Sequence, residues 1–273
     1  MSRVSGQRAG SPGRRARLDV LLMERGLVGS RARAAAVVLA GDVLLGPGRE
    51  RASKPGQMLA ADVELHVARP PQYVSRGGIK LANALDAFGL DVTGALALDV
   101  GASTGGFTDC LLQRGAAQVL ALDVAYGALD WALRADPRVS VVERRNARTL
   151  RPSDLPYAPT VIVIDVSFIS LSKVLGAVLA CAAPRFDCLA LIKPQFEVGR
   201  GQVGKGGVVR DGALRRQALI DVASAARELG VSVLAYASSG LPGPKGNRET
   251  FVWLAEAGRG EVDLEAAALE VEP

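Results

Sequence analysis

The sequence predicts an α/β domain, a sheet with helices on both faces, preceded by a small α+β domain. From about Ser75 onward, short apolar strands alternate with helical stretches, as in a parallel sheet that is covered on both sides. Before that point, residues 17–67 read as two helices followed by short strands. The sequence Arg-Pro-Pro-Gln at 69–72 is stiff and extended, which is typical of a linker.

The small domain is predicted to begin with two helices. Leucines at helical spacing end at Gly26, and Ser30 is a good N-cap for a second helix over 31–40 that stops at Gly41. Strand-like pieces follow at 43–45 and at 63–67, where polar and apolar residues alternate. The single histidine, His66, falls in this second piece and is interpreted as a strand residue.

The large domain is predicted to contain six strands, at 96–100, 119–124, 139–142, 161–166, 189–192 and 231–237. Helical stretches lie between them, for example at 171–183 and 213–229. The predicted organisation is a disordered basic arm (1–16), the small domain (17–67), a linker (68–75), the large domain (76–256) and an acidic tail (257–273). An organelle transit peptide is the alternative for the basic arm.

Charge is distributed unevenly along the chain. Residues 1–76 carry 13 Lys or Arg against 6 Asp or Glu, whereas the last 19 residues carry 1 against 6. A basic N-terminal third favours a polyanionic partner, because each phosphate contact releases counterions. The sequence therefore indicates nucleic acid as a candidate partner of the small domain.

Composition argues against several classes of protein. No apolar run approaches the roughly 18 residues that a membrane-spanning helix needs, so we expect no membrane association. The three cysteines (Cys110, Cys181 and Cys188) have no metal-ligand spacing and are predicted to be reduced core residues of a cytoplasmic protein. With one histidine in the chain, we expect no metal site.

The most informative local motif is the glycine-rich run from Asp99 to Phe107. It follows a buried strand and opens a helix, and its spacing is G-x-x-x-G-G. This spacing differs from the G-x-G-x-x-G of dinucleotide enzymes and from phosphate loops. Glycine at this position lets the backbone approach a ligand at the carboxyl edge of a parallel sheet, and Asp99 suits a ligand that carries an amino group.

An acidic residue marks the end of the second strand. Asp123 lies 24 residues after Asp99, where a carboxylate can accept hydrogen bonds from both hydroxyls of a ribose. The glycine-rich turn and this acid together indicate a nucleoside cofactor. Because features that bind pyrophosphate are missing, S-adenosylmethionine is favoured over NAD.

Two further charges follow apolar strands. Asp165 lies at the end of the fourth strand and Lys193 at the end of the fifth, on the edge that is predicted to hold the cofactor. Snorkelling to solvent could explain one such charge, but two at one edge favour a site. A buried lysine can have its pKa lowered far enough to act as a base.

These motifs resemble the TlyA family of rRNA 2′-O-ribose methyltransferases, which are related to FtsJ/RrmJ-type enzymes and are sometimes labelled hemolysins. The resemblance rests on the run from Asp99 to Phe107, on D-V-S-F-I-S-L from Asp165, on K-P-Q-F-E-V-G from Lys193 and on G-Q-V-G-K-G-G-V-V-R-D from Gly201. It extends from Arg17 to Leu254. It implies a Rossmann-like class I methyltransferase domain preceded by an S4-type RNA-binding domain.

The resemblance also implies roles for individual residues. FtsJ-type enzymes use a Lys-Asp-Lys-Glu tetrad, which matches Lys80, Asp165, Lys193 and Glu249. The cofactor positions of the family fall on Asp99, Gly101, Ser103, Gly105, Phe107, Asp123, Asn146 and Asp165. In the small domain, Arg17, Arg31 and Arg33 are expected beside RNA phosphates.

The expected activity is therefore methyl transfer from S-adenosylmethionine to a ribose 2′-hydroxyl of ribosomal RNA, with cytidine as the target, by a cytoplasmic monomer. Ribosomal RNA or ribosomal subunits would be the partner. A membrane-active hemolysin is the first alternative; the missing membrane span and the lack of an amphipathic basic helix with aromatic anchors count against it. The second alternative, a binding protein with an inactive methyltransferase fold, is disfavoured by the complete tetrad.

Overall fold

A computed structural model describes residues 14–68, 72–243 and 245–273. The chain folds into two compact units, one that ends at Arg76 and one that begins at Gly77. Residues 1–13, most of the predicted basic arm, and 69–71 of the predicted linker lie outside the described residues. Each unit is described by itself.

The first unit packs two helices against short strands. The strands are β1 (Arg15–Arg17), β2 (Val43–Leu45), β3 (Glu50–Arg51), β4 (Met58–Ala60) and β5 (Leu65–Val67), and the helices are α1 (Leu18–Glu24) and α2 (Arg31–Ala40). β1 pairs with β4, and β2 lies between β3 and β5, all antiparallel. The core is made of apolar side chains from both helices and from β2, including Leu18, Leu22, Val37, Val38 and Val43.

The ends of α2 are as the sequence predicts. The Ser30 hydroxyl accepts a hydrogen bond from the Arg33 amide at 3.2 Å, and Gly41 ends the helix with a φ of +77°. The first unit nevertheless begins earlier than predicted, because β1 includes residues that were assigned to the basic arm. Pairing with β4 orders them.

The second unit is built on a seven-stranded sheet in the order β11-β12-β10-β9-β6-β7-β8. The strands are β6 (Leu96–Val100), β7 (Gln118–Leu122), β8 (Val139–Val142), β9 (Val161–Ile164), β10 (Asp187–Ile192), β11 (Ser232–Ser238) and β12 (Thr250–Ala255). The helices are α3 (Arg76–Phe88), α4 (Gly106–Gln113), α5 (Trp131–Arg134), α6 (Leu175–Leu179), α7 (Pro194–Glu197), α8 (Gly212–Glu228) and α9 (Leu264–Val271). Short 3₁₀ turns lie at Ala147–Thr149, Pro152–Asp154, Leu171–Lys173 and Arg200–Gln202.

The sheet is covered on both faces, as predicted. Leu98 and Val100 of β6 join the core under α6 and α8. Asp99, which lies between them and points to the other face, accepts a hydrogen bond from α4. The chain leaves β6 in one direction, through β7 and β8, and returns on its other side at β9. Ligands of such sheets bind at the carboxyl ends of the strands where the order reverses, so the fold places a crevice between β6 and β9.

The sheet is mixed, which corrects the parallel sheet that the sequence predicts. β12 was not predicted, and it runs antiparallel to both β10 and β11. The predicted helix over 171–183 is also shorter, a 3₁₀ turn followed by α6. Apolar runs predict a buried strand, but they carry no information about its direction.

The acidic C-terminal segment, predicted as a tail, contains the packed helix α9. Its apolar residues Leu264 and Ala268 join the main core, and Glu272 is buried. The Glu272 carboxylate pairs with Arg215 of α8 and with Arg248. Apolar contacts and ion pairs thus hold this segment on the second unit.

Candidate active site

The predicted site residues of the second unit collect at the carboxyl edge of the sheet. Asp123, Asp165 and Lys193 each follow the last residue of a strand, β7, β9 and β10 respectively. Glu249 directly precedes β12, whose Thr250 is paired with Ile192 of β10, so the register places Glu249 beside Lys193. Four strands therefore bring charged groups from distant parts of the sequence to one edge.

The glycine-rich turn after β6 packs tightly, but against protein. Gly101 has a φ of +88°, and a Cβ atom there would lie 2.6 Å from the backbone oxygen of Asp165. Gly105 has a φ of +94°, and a Cβ atom there would collide with side-chain atoms of Leu129 and Leu133. In the structure these glycines make room for the loop after β9 and for two leucines, and that the turn also admits a ligand stays a prediction.

Asp123 links two turns at the predicted ribose site. Its Oδ2 accepts a hydrogen bond from the backbone amide of Ser103 at 2.7 Å, and its Oδ1 accepts one from Ala125 at 2.7 Å. Ser103 holds a left-handed backbone with a φ of +51°, which is strained for a residue with a side chain. Each carboxylate oxygen has a second lone pair, so both can still accept a hydroxyl.

Asp99 is a fully buried acid beneath the turn. Its Oδ2 accepts a hydrogen bond from the Thr108 hydroxyl at 2.6 Å, while its Oδ1 has no hydrogen-bond partner among the described residues. Burial raises the pKa of Asp99 to about 7, opposed by the Thr108 hydrogen bond and reinforced by the nearby charges of Asp165 and Asp123. A buried acceptor without a donor is unusual and fits a ligand that brings one.

The remaining cofactor candidates occupy different surroundings. Asn146 is exposed, and its Oδ1 already caps the turn at Ala147–Thr149 by accepting from the Arg148 amide at 3.0 Å. The ring of Phe107 is buried against Phe251, with ring centroids 5.8 Å apart. Phe107 therefore serves the core through its side chain, which leaves its backbone for a ligand.

Lys193 and Asp165 form the first of two ion pairs in the predicted tetrad. The Lys193 ammonium lies 2.5 Å from Oδ1 of Asp165 and donates a hydrogen bond to the Ser167 hydroxyl at 2.9 Å. Sequence reasoning gave Ser167 no role, although it stands two residues after Asp165 in the same motif. Asp165 and Ser167, both in the loop after β9, thus fix the position of the Lys193 ammonium group.

Lys80 and Glu249 form the second pair, from α3 and the loop before β12. Lys80 is 7% exposed and Glu249 is 3% exposed, and the ammonium donates to Oε2. Gly243 makes room for this carboxylate, since a Cβ atom there would approach its oxygen. Two roles are open to Lys80 from the sequence, support of the carboxylates of the tetrad or contact with RNA phosphate, and its pair with the buried Glu249 favours the first.

Two features of the loops that follow β9 and β10 were missed from the sequence. Glu197 of α7 accepts hydrogen bonds from the Ser170 hydroxyl at 2.6 Å and from the Leu171 amide at 3.0 Å, which ties the loop after β9 to the loop after β10. Phe168 is 91% exposed, has a φ of +64° and contacts the Phe196 ring at 5.2 Å between centroids. Phe168 thus follows the serine that contacts Lys193 and combines a strained backbone with an exposed ring.

The predicted RNA-binding arginines lie in the first unit. Arg17 and Arg31 both donate to the buried carboxylate of Asp19, at 2.8 Å and 3.0 Å, and both remain substantially exposed. These contacts lower the pKa of Asp19 to about 2, with the Arg17 hydrogen bond as the largest cause. Arg33 lies in the first turn of α2, the helix that begins with Arg31.

Within the described ranges, no cluster of three or more His, Cys, Asp or Glu side chains is arranged to hold a metal ion. None of the helices in these ranges is long and apolar enough to cross a membrane. The three cysteines are buried thiols that form no disulfide.

The chain is similar in sequence to known methyltransferases. The family model of FtsJ-like methyltransferases matches residues 73–256. The chain is 49% identical to the 16S/23S rRNA (cytidine-2′-O)-methyltransferase TlyA of Mycobacterium tuberculosis, over 88% of this chain and 90% of the relative. It is 40% identical to Hemolysin A of Brachyspira hyodysenteriae, over 85% of this chain and 97% of the relative.

A solved structure from Streptococcus thermophilus, described as a hemolysin, has a TM-score of 0.75 and 39% identity. The match covers 96% of this chain and 95% of that one. Such coverage includes both compact units, and the FtsJ-like match spans every residue of the two ion pairs. The chain therefore belongs to the TlyA family of FtsJ-like methyltransferases.

Proposed function

We propose that this methyltransferase transfers the methyl group of S-adenosylmethionine to a ribose 2′-hydroxyl of ribosomal RNA, with cytidine as the target nucleotide. The observation that carries the proposal is the Lys193–Asp165 pair, which stands beside the glycine-rich turn at the point where the strand order reverses. A lysine held at 2.5 Å from a carboxylate in that position is suited to a hydroxyl nucleophile.

The cofactor fits the residues of the crevice. The unpartnered Oδ1 of Asp99 can accept from the amino group of the methionine part. Asp123 can accept hydrogen bonds from both ribose hydroxyls. The exposed amide of Asn146 is proposed to contact the adenine, and the backbone of Phe107 is proposed to contact the cofactor at the glycine-rich turn. Bound S-adenosylmethionine supplies a sulfonium methyl group, which is already electrophilic.

The protein must then align the hydroxyl and remove one proton. Lys193 is proposed to orient the 2′-hydroxyl and to accept its proton as the neutral amine that remains once the ammonium has released a proton to Asp165 or to solvent, while Asp165 and Ser167 fix the lysine. Lys80 is proposed to hold the Glu249 carboxylate in place through their ion pair. Lys80, Asp165, Lys193 and Glu249 together form the proposed catalytic set.

Phe168 is proposed to hold the target base. Its ring is exposed and its left-handed backbone is maintained next to Ser167, so the ring is presented to solvent at the edge that carries Lys193. Base–aromatic stacking contributes about 1–3 kcal/mol per base in single-stranded RNA recognition. A base stacked there would bring its own ribose to the lysine.

The first unit is proposed to be an S4-type domain that anchors RNA. Arg17 and Arg31 share Asp19 yet keep much of their surface exposed, and an arginine has five donors, so each can also contact a phosphate. Arg33 is proposed to assist from the same helix end. The protein is further proposed to act as a monomer in the cytoplasm, where ribosomal subunits are accessible.

The decisive experiment maps 2′-O-methyl groups in ribosomal RNA from cells with and without the gene. Loss of a methyl group at one or more cytidines, and its return with the wild-type gene but not with Lys193→Ala, is the expected result. Identical maps would overturn the proposal. Lysis of erythrocyte-sized vesicles by the purified protein would favour the hemolysin alternative.

A further inference from the structure

Two loops of the second unit border the catalytic edge without taking part in the proposed chemistry. Residues 198–211 connect α7 to α8, and residues 239–249 connect β11 to β12. β10 and β11 are both antiparallel to β12, so they run in the same direction and end at the same edge. Both loops therefore leave the sheet at the edge that carries Lys193, and the second one ends at Glu249.

The two loops are strongly basic. They contain five basic residues (Arg200, Lys205, Arg210, Lys245 and Arg248) against two acidic ones (Asp211 and Glu249). The second unit as a whole is close to balanced, because residues 77–254 carry 19 basic against 16 acidic residues. A surplus of three positive charges in 25 residues, as large as that of the whole range 77–254, is thus a local property of this edge.

The first loop forms a small, well-defined turn at residues 204–208, here called the basic turn. The Gly204 amide donates to the Val208 carbonyl at 3.1 Å, and Gly206 and Gly207 have φ values of +83° and +80°. Two consecutive left-handed residues are readily accommodated only by glycine. Lys205 is exposed in this turn, directly before the two glycines.

Asn247 fastens the basic turn to the loop that carries Glu249. Its side chain is buried, with the residue 2% exposed, and it both donates to the Gly207 carbonyl at 2.8 Å and accepts from the Val209 amide at 2.9 Å. Lys245 lies against the same turn, since a Cβ atom on Gly207 would stand 3.4 Å from its Nζ. Both lysines are thereby held on one piece of structure, and Asn247, which fastens it, stands two residues before the catalytic glutamate.

The two ammonium groups differ from those of the catalytic lysines. Lys80 and Lys193 each pair with a carboxylate. Across the ranges 14–68, 72–243 and 245–273, neither Lys205 nor Lys245 has a carboxylate within ion-pair distance, and both are exposed. A rigid turn that presents cations without protein partners is suited to an anionic ligand.

We infer that the basic turn binds the phosphate backbone of the RNA strand that carries the target nucleotide. The inference rests on the proposed function, since it assumes that the 2′-hydroxyl is attacked at Lys193. Phosphate contacts fix the register of a nucleic acid on a protein without reading its sequence. Contacts at Lys205 and Lys245 would fix the strand relative to Glu249 and Lys193, which belong to the same unit.

The test compares full-length wild type with the Lys205→Ala/Lys245→Ala double variant. The probe is a fluorescently labelled, single-stranded RNA of about 20 nucleotides with mixed sequence, and its affinity is measured by anisotropy at several salt concentrations. Arg185→Ala is the matched control, because Arg185 is an exposed cation that precedes β10 at the opposite edge of the sheet. Calorimetric binding of S-adenosylmethionine verifies that each variant is folded.

Each phosphate contact on a single strand contributes about 0.7 to the slope of log affinity against log salt, so losing two should reduce that slope by about 1.4. The affinity advantage of wild type should then shrink roughly sevenfold between about 50 and 200 mM salt. We expect this change in the double variant and not in Arg185→Ala. A slope equal to that of wild type, or an equal change in the control, would overturn the inference. Because the binding assay needs no methyl transfer, it judges the basic turn separately from the proposed function.

Discussion

Asp99→Asn should make the cofactor-free protein more stable at alkaline pH while weakening its binding of S-adenosylmethionine. The Asp99 carboxyl is fully buried, and burial raises its pKa to about 7 from an ordinary value of 3.8. The folded state therefore binds this proton more tightly than the unfolded state does. Stability from this group is fully present below pH 3.8 and is lost as the pH rises to about 7.

The size of the effect follows from the shift. About three pKa units correspond to about 4 kcal/mol of folding free energy, and the part that falls between about pH 5 and pH 8 is roughly 3 kcal/mol. Asparagine cannot ionise, but it can still accept the Thr108 hydrogen bond. Its NH₂ group would take the place of the unpartnered oxygen at a cost of about 1–3 kcal/mol.

Urea unfolding of both proteins at about pH 5, 6.5 and 8, without cofactor, measures the difference. The stability of the variant relative to wild type should increase by roughly 3 kcal/mol from about pH 5 to pH 8. Titration calorimetry at about pH 8 should show weaker cofactor binding by the variant, since the NH₂ group that replaces Oδ1 cannot accept a hydrogen bond from the amino group of the cofactor. A stability difference that stays constant with pH would refute the assignment of a neutral, buried Asp99; unchanged cofactor affinity would refute its role in binding.

Three further predictions concern the cofactor, the proposed base and the two units. Asp123→Ala should weaken cofactor binding, measured by calorimetry, by about 1.5–3 kcal/mol. The control is Asp136→Ala, which removes a carboxylate paired with Arg138 near the opposite edge and should leave cofactor affinity unchanged. Equal losses in the two variants would contradict the assignment of Asp123 to the ribose. Lys193→Ala should abolish methyl transfer to ribosomal RNA while cofactor binding survives. Lys193→Arg should fail too, because a guanidinium stays protonated, and an active arginine variant would show that positive charge suffices. A chain that begins near Ser75 should fold and bind cofactor but methylate ribosomal RNA poorly at low RNA concentration. Excess RNA should restore part of the rate. If the shortened chain instead methylates RNA at the full rate at low RNA concentration, the first unit is not the RNA anchor.

Much of this architecture is encoded locally and could be predicted from the sequence. Apolar runs located six of the seven strands of the large sheet, and Ser30 and Gly41 marked both ends of α2 because capping depends on neighbouring residues alone. Asp123, Asp165 and Lys193 were recognised as one site because each follows an apolar run. The carboxyl ends of parallel strands meet at one edge, so position along the chain was enough to group them.

The structure was required wherever the answer depended on residues far apart in the sequence. The direction of β12 is set by its pairing with β10 and β11, and an apolar run reads the same in either direction. Lys80 and Glu249 are separated by 169 positions, and only the folded chain shows that they pair with each other. The need for glycine at position 101 also depends on a distant residue, because the atom that excludes a side chain there is the backbone oxygen of Asp165.

Burial is the property that the sequence determined least. Asp99 and Asp123 both stand at strand ends and look equivalent in the sequence, yet one is fully buried with a raised pKa and the other is partly exposed and satisfied by backbone amides. The acidic C-terminal segment looks solvated, but its helix α9 packs onto the core and Glu272 meets two arginines. The sequence determines which groups are chemically able to form the site. Their environment, and therefore their charge and partners, is decided by the tertiary structure, because desolvation depends on every element that packs around a group.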